Sequence, residues 1–479
     1  MIDYTVGHLA EILKGKCEEK FNNVEITSVS TDTRKIVPGA LFFAIEGETF
    51  DGHNFAQKAI EGGASCVVAH KNVFSNHKSQ LPHGDEHSSS LVAPQKPNGA
   101  GEGTFPVIYV ENTLNAYGAL AKDYKSKFNV KTIAVTGSVG KTSTKEFVAY
   151  LTSCAGKTLK NEANFNNEIG LPATMFNLDE TYKNCVCEMG MRGKGQINYL
   201  CDIAKPQIGI ISNISVCHIE LLGSMDNIAD AKCEILDNLP SEGYGIVMGD
   251  SEYLPLMKDR CKCNFITYGE KETNDIYIET LNTNHKGFIY TLQTPWGRIE
   301  DIFIPGIVYH NVINSMPAVA VAKILDISNE EIKEKISVFK NIEKRFNIID
   351  CGDYTVIDDS YNANPLAVTG ALKTLKLFTS NRKIACLGEM YELGEQEREY
   401  HREIGRVARE CGTDEVVAIG PLAKYILEGF GNEEKSHYFE NSDIARDFMK
   451  GYVQKGDVVL VKGSHGVHTE KIVEGLINE

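Results

Sequence analysis

The residues best suited to chemistry stand together in Thr136-Gly137-Ser138-Val139-Gly140-Lys141-Thr142-Ser143. Glycines let backbone N–H groups curl around an anion, and a helix opening at the lysine adds positive potential. The lysine neutralises phosphate charge, and the Thr142 hydroxyl can reach a magnesium ion. The apolar run Thr132-Ile133-Ala134-Val135 reads as the strand that delivers the loop, and Lys145 to Leu151 has the spacing of a helix that leaves it. That order of elements is the recipe for a nucleotide phosphate site. Position 135 is valine, so the loop is the shorter G-x-x-G-K-T form. The alternative is a chance match in a strand-to-helix turn, against which the flanking strand and helix argue.

Further polar groups sit where strands end. Asn161 to Gly170 is dense in amides, which satisfy ligand oxygens without adding charge. Glu188 closes the run Cys185-Val186-Cys187, a position suited to a magnesium ligand. His218 follows the strand pattern Ile208 to Ile214, and Lys232 lies on the helical pattern Ile228 to Leu239, close in sequence to Glu234. Taken singly, each fits a solvated surface group; their arrangement after one phosphate loop favours a site. Two earlier loops, Ser30 to Lys35 and Gly47 to Phe55, are rich in hydroxyls and suit an anionic ligand or ordinary turn chemistry.

The elements that must position these groups alternate strand and helix patterns, which argues for a largely parallel α/β sheet. Val6 to Leu13 is spaced as a helix, while Val24 to Val29 and Leu41 to Ile45 read as strands. Residues 71–105 are rich in Ser, His, Pro and Gly and predict a mobile insertion without a catalytic role. Its histidines His77, His83 and His87, with His70 just before it, are too irregularly spaced for a metal site. Asp275 to Ile304 reads as an antiparallel appendage with turns at Asn282-Thr283-Asn284 and Thr294-Pro295-Trp296-Gly297. A third unit begins near Phe346, with Tyr354 to Asp359 as its first clear strand.

A length of 479 residues accommodates about three domains. The net charge of −16 argues against a bulk nucleic-acid binder, because a phosphate backbone rewards basic surfaces. The amino terminus lacks the basic and apolar regions of a signal peptide. No apolar run approaches the ~18 residues of a membrane span. Thirteen scattered cysteines, with C-x-C pairs at 185/187 and 261/263 but no zinc spacing, read as reduced thiols of a cytoplasmic protein.

In order along the chain, Thr136 to Thr142, Asn164-Phe165-Asn166-Asn167-Glu168-Ile169-Gly170, Glu188-Met189-Gly190, His218 and His310-Asn311-Val312-Ile313-Asn314 resemble the signatures of the Mur ligases. These are the ATP-dependent amide-bond ligases of peptidoglycan precursor synthesis. The resemblance covers nearly the whole chain outside residues 71–105. Ser30-Thr31-Asp32-Thr33-Arg34 with Pro38-Gly39, Asp359-Ser360-Tyr361-Asn362-Ala363-Asn364-Pro365 and Leu387 to Gly394 are similar to the member that joins D-alanyl-D-alanine to UDP-N-acetylmuramoyl-tripeptide. The Asp-Asn-Pro-Arg stretch of the diaminopimelate-adding ligase is missing from the sequence.

The resemblance implies three α/β domains: a small uridine-nucleotide domain over 1–105, a central P-loop ATPase domain with a mostly parallel sheet over 106–341, and a Rossmann-like domain over 342–479 that closes over ATP and binds the dipeptide. It implies that Ser30, Thr31, Asp32 and Arg34 hold the UDP substrate. ATP would meet residues 136–143, Asn311 at the adenine, Arg345 at the phosphates and Asp359 at the ribose. Lys141, Glu188, His218 and Lys232 would be catalytic. Thr142, Glu188, His218 and Lys232, the last as a CO2-derived carbamate, would hold Mg2+. Tyr361, Asn362, Asn364 and His465 would form the dipeptide site, and the enzyme would act as a monomer. Two positions depart from the family pattern: Val139 stands where asparagine is usual, and His465 where arginine is usual. A folate polyglutamate or cyanophycin type of ligase shares the ATP core but leaves the amino-terminal loops without a reason. A non-catalytic ATP-binding paralogue is the reading that Val139 and His465 would favour.

Overall fold

In the computed structural model, residues 2–47, 50–71, 105–162, 164–284, 286–340 and 344–477 are described. Residues 72–104, the bulk of the expected insertion, lie outside them. The chain packs as two compact units: Met1–Lys131 with Leu159–Lys183 and Tyr199–Lys205, and Thr132–Thr158 with Asn184–Asn198 and Pro206–Glu479.

The first unit carries a two-stranded antiparallel ribbon, β1 (Tyr4–Thr5) and β2 (Glu25–Ile26), and a parallel four-stranded sheet. Its strands are β3 (Ser28–Ser30), β4 (Ala40–Phe43), β5 (Ala64–His70) and β6 (Val107–Val110), in that order. The single strand expected over Val24 to Val29 is thus two, because the chain leaves the ribbon at Ile26 to pair with β4. Buried Phe42, Ala44, Val67 and Ala69 pack on the helix Ala56–Glu61. Such continuous apolar runs are what a parallel sheet covered on both faces requires.

Nine strands build the central sheet: β7 (Lys131–Thr136), β8 (Thr158–Lys160), β9 (Asn184–Glu188), β10 (Ile208–Ile211), β11 (Tyr244–Met248), β12 (Asn264–Gly269), β13 (Ile276–Asn284), β14 (Gly287–Gln293) and β15 (Ile299–Pro305). Their order is β15-β14-β13-β12-β11-β10-β7-β9-β8. β7 and β10 to β13 pair in parallel, while β14 and β15 add antiparallel at the edge, as the sequence implied. Asn282-Thr283-Asn284 is not the turn; it is the end of β13, paired with Gly287 to Ile289. Ile133, Val135 and Ile210 are buried against Phe147, Val148 and Leu151 of the helix Lys141–Thr152, which fixes the floor of the phosphate loop.

The last sheet contains β16 (Asn347–Asp350), β17 (Thr355–Asp358), β18 (Arg382–Gly388), β19 (Glu415–Ile419), β20 (Ser436–Phe439) and β21 (Asp457–Lys462), ordered β16-β17-β21-β18-β19-β20. The sheet therefore starts one strand earlier than Tyr354. β16 has only Ile348 and Ile349 as apolar signal, and it is held by antiparallel pairing with β17.

Arg382 locks three strands of this sheet. Its guanidinium donates to Asp457 at 3.0 and 2.6 Å and to Glu415 at 3.2 Å, and both carboxylates are buried. Burial alone would push the Glu415 carboxyl up, but Tyr452, Arg382, Lys435 and His437 outweigh it and hold it below its ordinary value. Stability from Glu415 is therefore present at neutral pH and lost as acid carries the solution below the usual carboxylate range. Arg382→Ala leaves buried Asp457 without its cation, while Glu415 keeps Lys435, His437 and Tyr452, and is expected to cost roughly 3–5 kcal/mol, read as a lowered urea midpoint. A loss under about 1 kcal/mol, the range of exposed pairs, would show the bridge to be inert.

Candidate functional site

The loop after β7 needs its glycines. Gly140 has φ +82, and a Cβ there would stand 2.6 Å from Asn314 Oδ1; Gly137, at φ +146, would meet Ser212 Oγ. The loop is braced from the end of β10, the strand beside β7. Asn213 Oδ1 accepts from the N–H groups of Ser138 (3.2 Å) and Val139 (2.9 Å). Ser212 Oγ donates to the Val139 carbonyl at 2.6 Å, and Ser138 Oγ donates to the Ser215 carbonyl at 2.7 Å. Lys141 Nζ donates to the Gly137 and Ser138 carbonyls at 2.9 and 3.3 Å, so the ammonium arches over the loop. Thr136 Oγ1 donates to the Met189 carbonyl at 2.9 Å and ties the end of β9 to the end of β7.

Asn314 belongs to the family-like stretch His310–Asn314, on the helix Tyr309–Ile324, whereas Ser212, Asn213 and Ser215 do not stand out in the sequence. Their one signal is polar residues just beyond an apolar strand, which is also how ordinary loops begin. Asn213→Ala removes the acceptor of the Val139 N–H, worth about 1–3 kcal/mol if left unpaired, while the Ser138 N–H keeps the backbone carbonyl of residue 213 at 3.1 Å. The expected result is a KM for ATP raised about tenfold or more with the fold intact, since 1.4 kcal/mol is a factor of ten. An unchanged KM would show that the loop holds its shape without this brace.

Around the loop stand the other expected groups. Glu188, 3 % exposed, ends β9. Lys232, 2 % exposed, sits on the helix Met225–Asp237. Burial pulls its ammonium down to about 8, with Lys141 adding to the fall and Cys217 opposing it. Burial also lowers His218; the Glu392 carboxylate opposes this, while Lys141 and Lys232 reinforce it. These mutual influences put Lys141, Cys217, His218 and Lys232 in one locality, with Cys217 Sγ 3.1 Å from Ser138 Oγ. Glu234 takes no part: it accepts from the N–H groups of Gly195 and Asn198 at the start of another helix. Among the described residues, no group of three or more His, Cys, Asp and Glu side chains forms a ready metal cage.

From the six-stranded sheet, Arg345 reaches the phosphate loop, donating from Nη2 to Thr142 Oγ1 at 3.3 Å and lying 3.8 Å over the Tyr361 ring. Tyr361 and His465 face each other with ring centroids 6.1 Å apart. Asp359 is engaged by Lys462 Nζ at 2.6 Å and accepts the Phe346 N–H at 3.2 Å. Lys462, a buried cation that sequence patterning misses, also donates to the Asn362 carbonyl at 2.8 Å. Asn364 is spent as the cap of the helix Pro365–Leu375, accepting from Ala367 N–H at 2.9 Å. Asn311 is buried in the first turn of the helix Tyr309–Ile324.

The first unit contains its own cavity, of about 700 Å3. Ser30, Thr31 and Asp32 line it, as expected, with Lys35 in place of Arg34. Arg34 instead forks onto the Asp32 carboxylate (2.8–3.2 Å) and holds it down at about 2, through an exposed pair worth little to stability. Asn164, Phe165 and Asn167 also line this cavity. The amide-rich stretch thus belongs to the first unit, because the helix Gly170–Met175 packs against Thr113–Ser126.

Three family models cover the chain: "Mur ligase family, catalytic domain" at residues 25–125, "Mur ligase middle domain" at 135–322 and "Mur ligase, glutamate ligase domain" at 344–465. The chain is 34 % identical over 485 residues to the UDP-N-acetylmuramoyl-tripeptide–D-alanyl-D-alanine ligase of Bacillus subtilis, covering 100 % of this chain and 99 % of that protein. Its fold is similar to the crystal structure of MurF from Acinetobacter baumannii, with a TM-score of 0.87, 26 % identity and 100 % of both chains covered. It is also similar in fold to the MurF ligase of Thermotoga maritima solved in complex with ADP, at a TM-score of 0.80 and 24 % identity over 94 % of this chain and 97 % of that one.

Proposed function

The chain belongs to the Mur ligase family, with its three-domain α/β fold, and on that premise we propose the following division of labour for its residues. The protein is an ATP-dependent ligase that joins D-alanyl-D-alanine to UDP-N-acetylmuramoyl-tripeptide. The observation that carries the residue assignment is the convergence of Lys141, His218, Lys232 and Arg345 on one phosphate loop.

A carboxylate is a poor electrophile because attack on it would have to expel oxide. The tripeptide's terminal carboxylate therefore attacks the γ-phosphate of ATP, forming an acyl phosphate and releasing ADP. The dipeptide amine then attacks the carbonyl carbon, and phosphate leaves. Loop N–H groups, Lys141 and Arg345 offset charge that grows on the transferred phosphoryl group. Closure of the six-stranded domain over the loop keeps water from the acyl phosphate. Magnesium, when bound, would neutralise phosphate oxygens. Thr142, Glu188, His218 and Lys232 suit its binding, since they combine a hydroxyl, a buried carboxylate, a histidine biased towards neutrality by burial, and a lysine whose amine is partly unprotonated. Burial lowers the Lys232 ammonium and so favours the neutral amine, the form that adds to CO2 and sheds a proton to give a carbamate.

Ser30, Thr31, Asp32 and Lys35 hold the UDP substrate along their cavity, with Arg34 setting the loop through Asp32. Tyr361, Asn362 and His465 receive the dipeptide, and Asp359 with Asn311 orients the nucleoside. We divide the chain functionally into 1–105, 106–341 and 342–479, with Val107–Val110 and the 161–170 stretch of the middle segment contributing to the first unit. We assign the enzyme as a monomer, as the family resemblance implies. Among the described residues no helix is long and apolar enough to cross a membrane, and none of the thirteen cysteines is in a disulfide; we place the enzyme in the cytoplasm. Purified protein with ATP, magnesium, UDP-N-acetylmuramoyl-tripeptide and D-alanyl-D-alanine is expected to release phosphate only when both acceptor and dipeptide are present. Release that ignores the dipeptide would sink the assignment, and no turnover at all would support a non-catalytic paralogue.

A further inference from the structure

Two residues other than glycine hold left-handed backbones and meet within the second unit. His218 follows β10 at φ 53, and Glu392 follows β18 at φ 60. Such conformations persist only where surrounding contacts over-determine them. Those contacts are present on both sides. Val216, two residues before the histidine, packs into the apolar core of the six-stranded sheet. A Cβ built on Gly394 would lie 3.7 Å from Ile219 and 3.9 Å from Glu220, so the 392–394 turn rests on the turn that carries His218.

The Glu392 carboxylate closes this junction. One oxygen accepts from Arg192 Nη2 at 2.8 Å, and the other meets Nδ1 of His218. The Arg192 guanidinium, 2.8 Å from one oxygen, forms an ion pair that takes the carboxylate in its charged form. An ionised carboxylate only accepts hydrogen bonds, so the proton of this contact belongs to Nδ1. The lone pair of the neutral ring is then left on Nε2.

We propose that Glu392 is a positioning residue that fixes the Nδ1–H tautomer of His218 and presents the Nε2 lone pair to the phosphate site. Carboxylates orient metal-binding histidines in this way, and their loss typically costs 10–100-fold in affinity or activity, about the range to expect here. The proposal deepens the ligase reading and rests on it for the role of His218. It adds a consequence. The histidine comes from the nine-stranded sheet and the carboxylate from the six-stranded one, so docking of the latter and completion of the site are one event. Arg192, on the turn after Glu188, holds the same carboxylate in place.

Nitrogen-15 NMR of the ligand-free, full-length protein reads the tautomer directly, with the His218 signals assigned by their loss in His218→Gln. At a pH above the ordinary imidazole range, wild-type His218 is expected as Nδ1–H, and Glu392→Ala should move it towards Nε2–H. Glu392→Gln keeps an acceptor oxygen and should retain much of the Nδ1–H form. In the coupled assay, Glu392→Ala should lower kcat by about 10–100-fold with KM for ATP within about threefold, the split expected when a group acts on the chemical step. Glu392→Gln should recover part of kcat. An unchanged tautomer in Glu392→Ala would overturn the proposal. So would a kcat loss matched by an equal loss of melting temperature, which marks a purely structural contact. The NMR result needs no substrate, so it stands apart from the ligase reading; wild-type protein that fails to release phosphate with both substrates overturns that reading alone.

Discussion

Lys232→Ala protein is expected to lose dipeptide-dependent phosphate release by roughly 10²–10³-fold, the scale of removing one preorganised charge from a reacting phosphate or oxyanion. The side chain is almost completely buried on the helix Met225–Asp237, beside Cys217 and within electrostatic reach of Lys141. An unmodified ammonium there would add a cation to a site that Lys141 and Arg345 already make cationic. A carbamate reverses that sign and supplies two oxygens to a hard cation. Truncation to alanine leaves space, so a short carboxylate such as propionate should restore part of the rate, and its effect should saturate. Stripping CO2 from wild-type protein should slow turnover, and bicarbonate should restore it. Near-normal turnover of Lys232→Ala without any added carboxylate would refute the carbamate role.

Lys141→Met is the second large effect. In the structure the ammonium bridges the Gly137 and Ser138 carbonyls, a parked position from which it can swing to an incoming phosphate. Removing it leaves the loop N–H groups to face the polyphosphate with only Arg345 nearby. The expected fall in kcat/KM for ATP is about 10³-fold, with methionine keeping the aliphatic stem and hence the packing. Lys141→Arg should recover little, since a planar fork does not fit a place shaped for a compact ammonium. A variant with kcat/KM within about tenfold of wild type would mean that the loop backbone and magnesium carry the phosphate charge without it.

Val139 fits this picture more easily than its sequence position suggested. The loop N–H at 139 is engaged by Asn213, and the carbonyl by Ser212, so the backbone is set from outside the loop. What valine forgoes is only a side-chain contact. His465 faces Tyr361, so the position is still on the wall expected to receive the dipeptide.

The sequence by itself determined the parts whose physics is local. The glycine loop, the lysine at its end, the apolar strand before it and the helix after it form one continuous stretch, and their spacing could be read directly. Glu188 and His218 were legible because each stands past the end of an apolar run, and Lys232 because the family resemblance marked it. The alternation of strand and helix gave the open α/β class, including the antiparallel edge. Only the tertiary structure decided which strand lies beside which. β7 neighbours β10, more than seventy residues later, and that adjacency turns Ser212 and Asn213 from loop residues into the frame of the phosphate site. The tertiary structure likewise put Lys462 on Asp359, turned Lys35 towards the cavity, and brought Glu392 to His218 across some 170 residues. Periodicity encodes which face of an element is apolar. It does not encode strand order or the reach of a side chain between elements, because those depend on how separate apolar faces find one another in the folded chain.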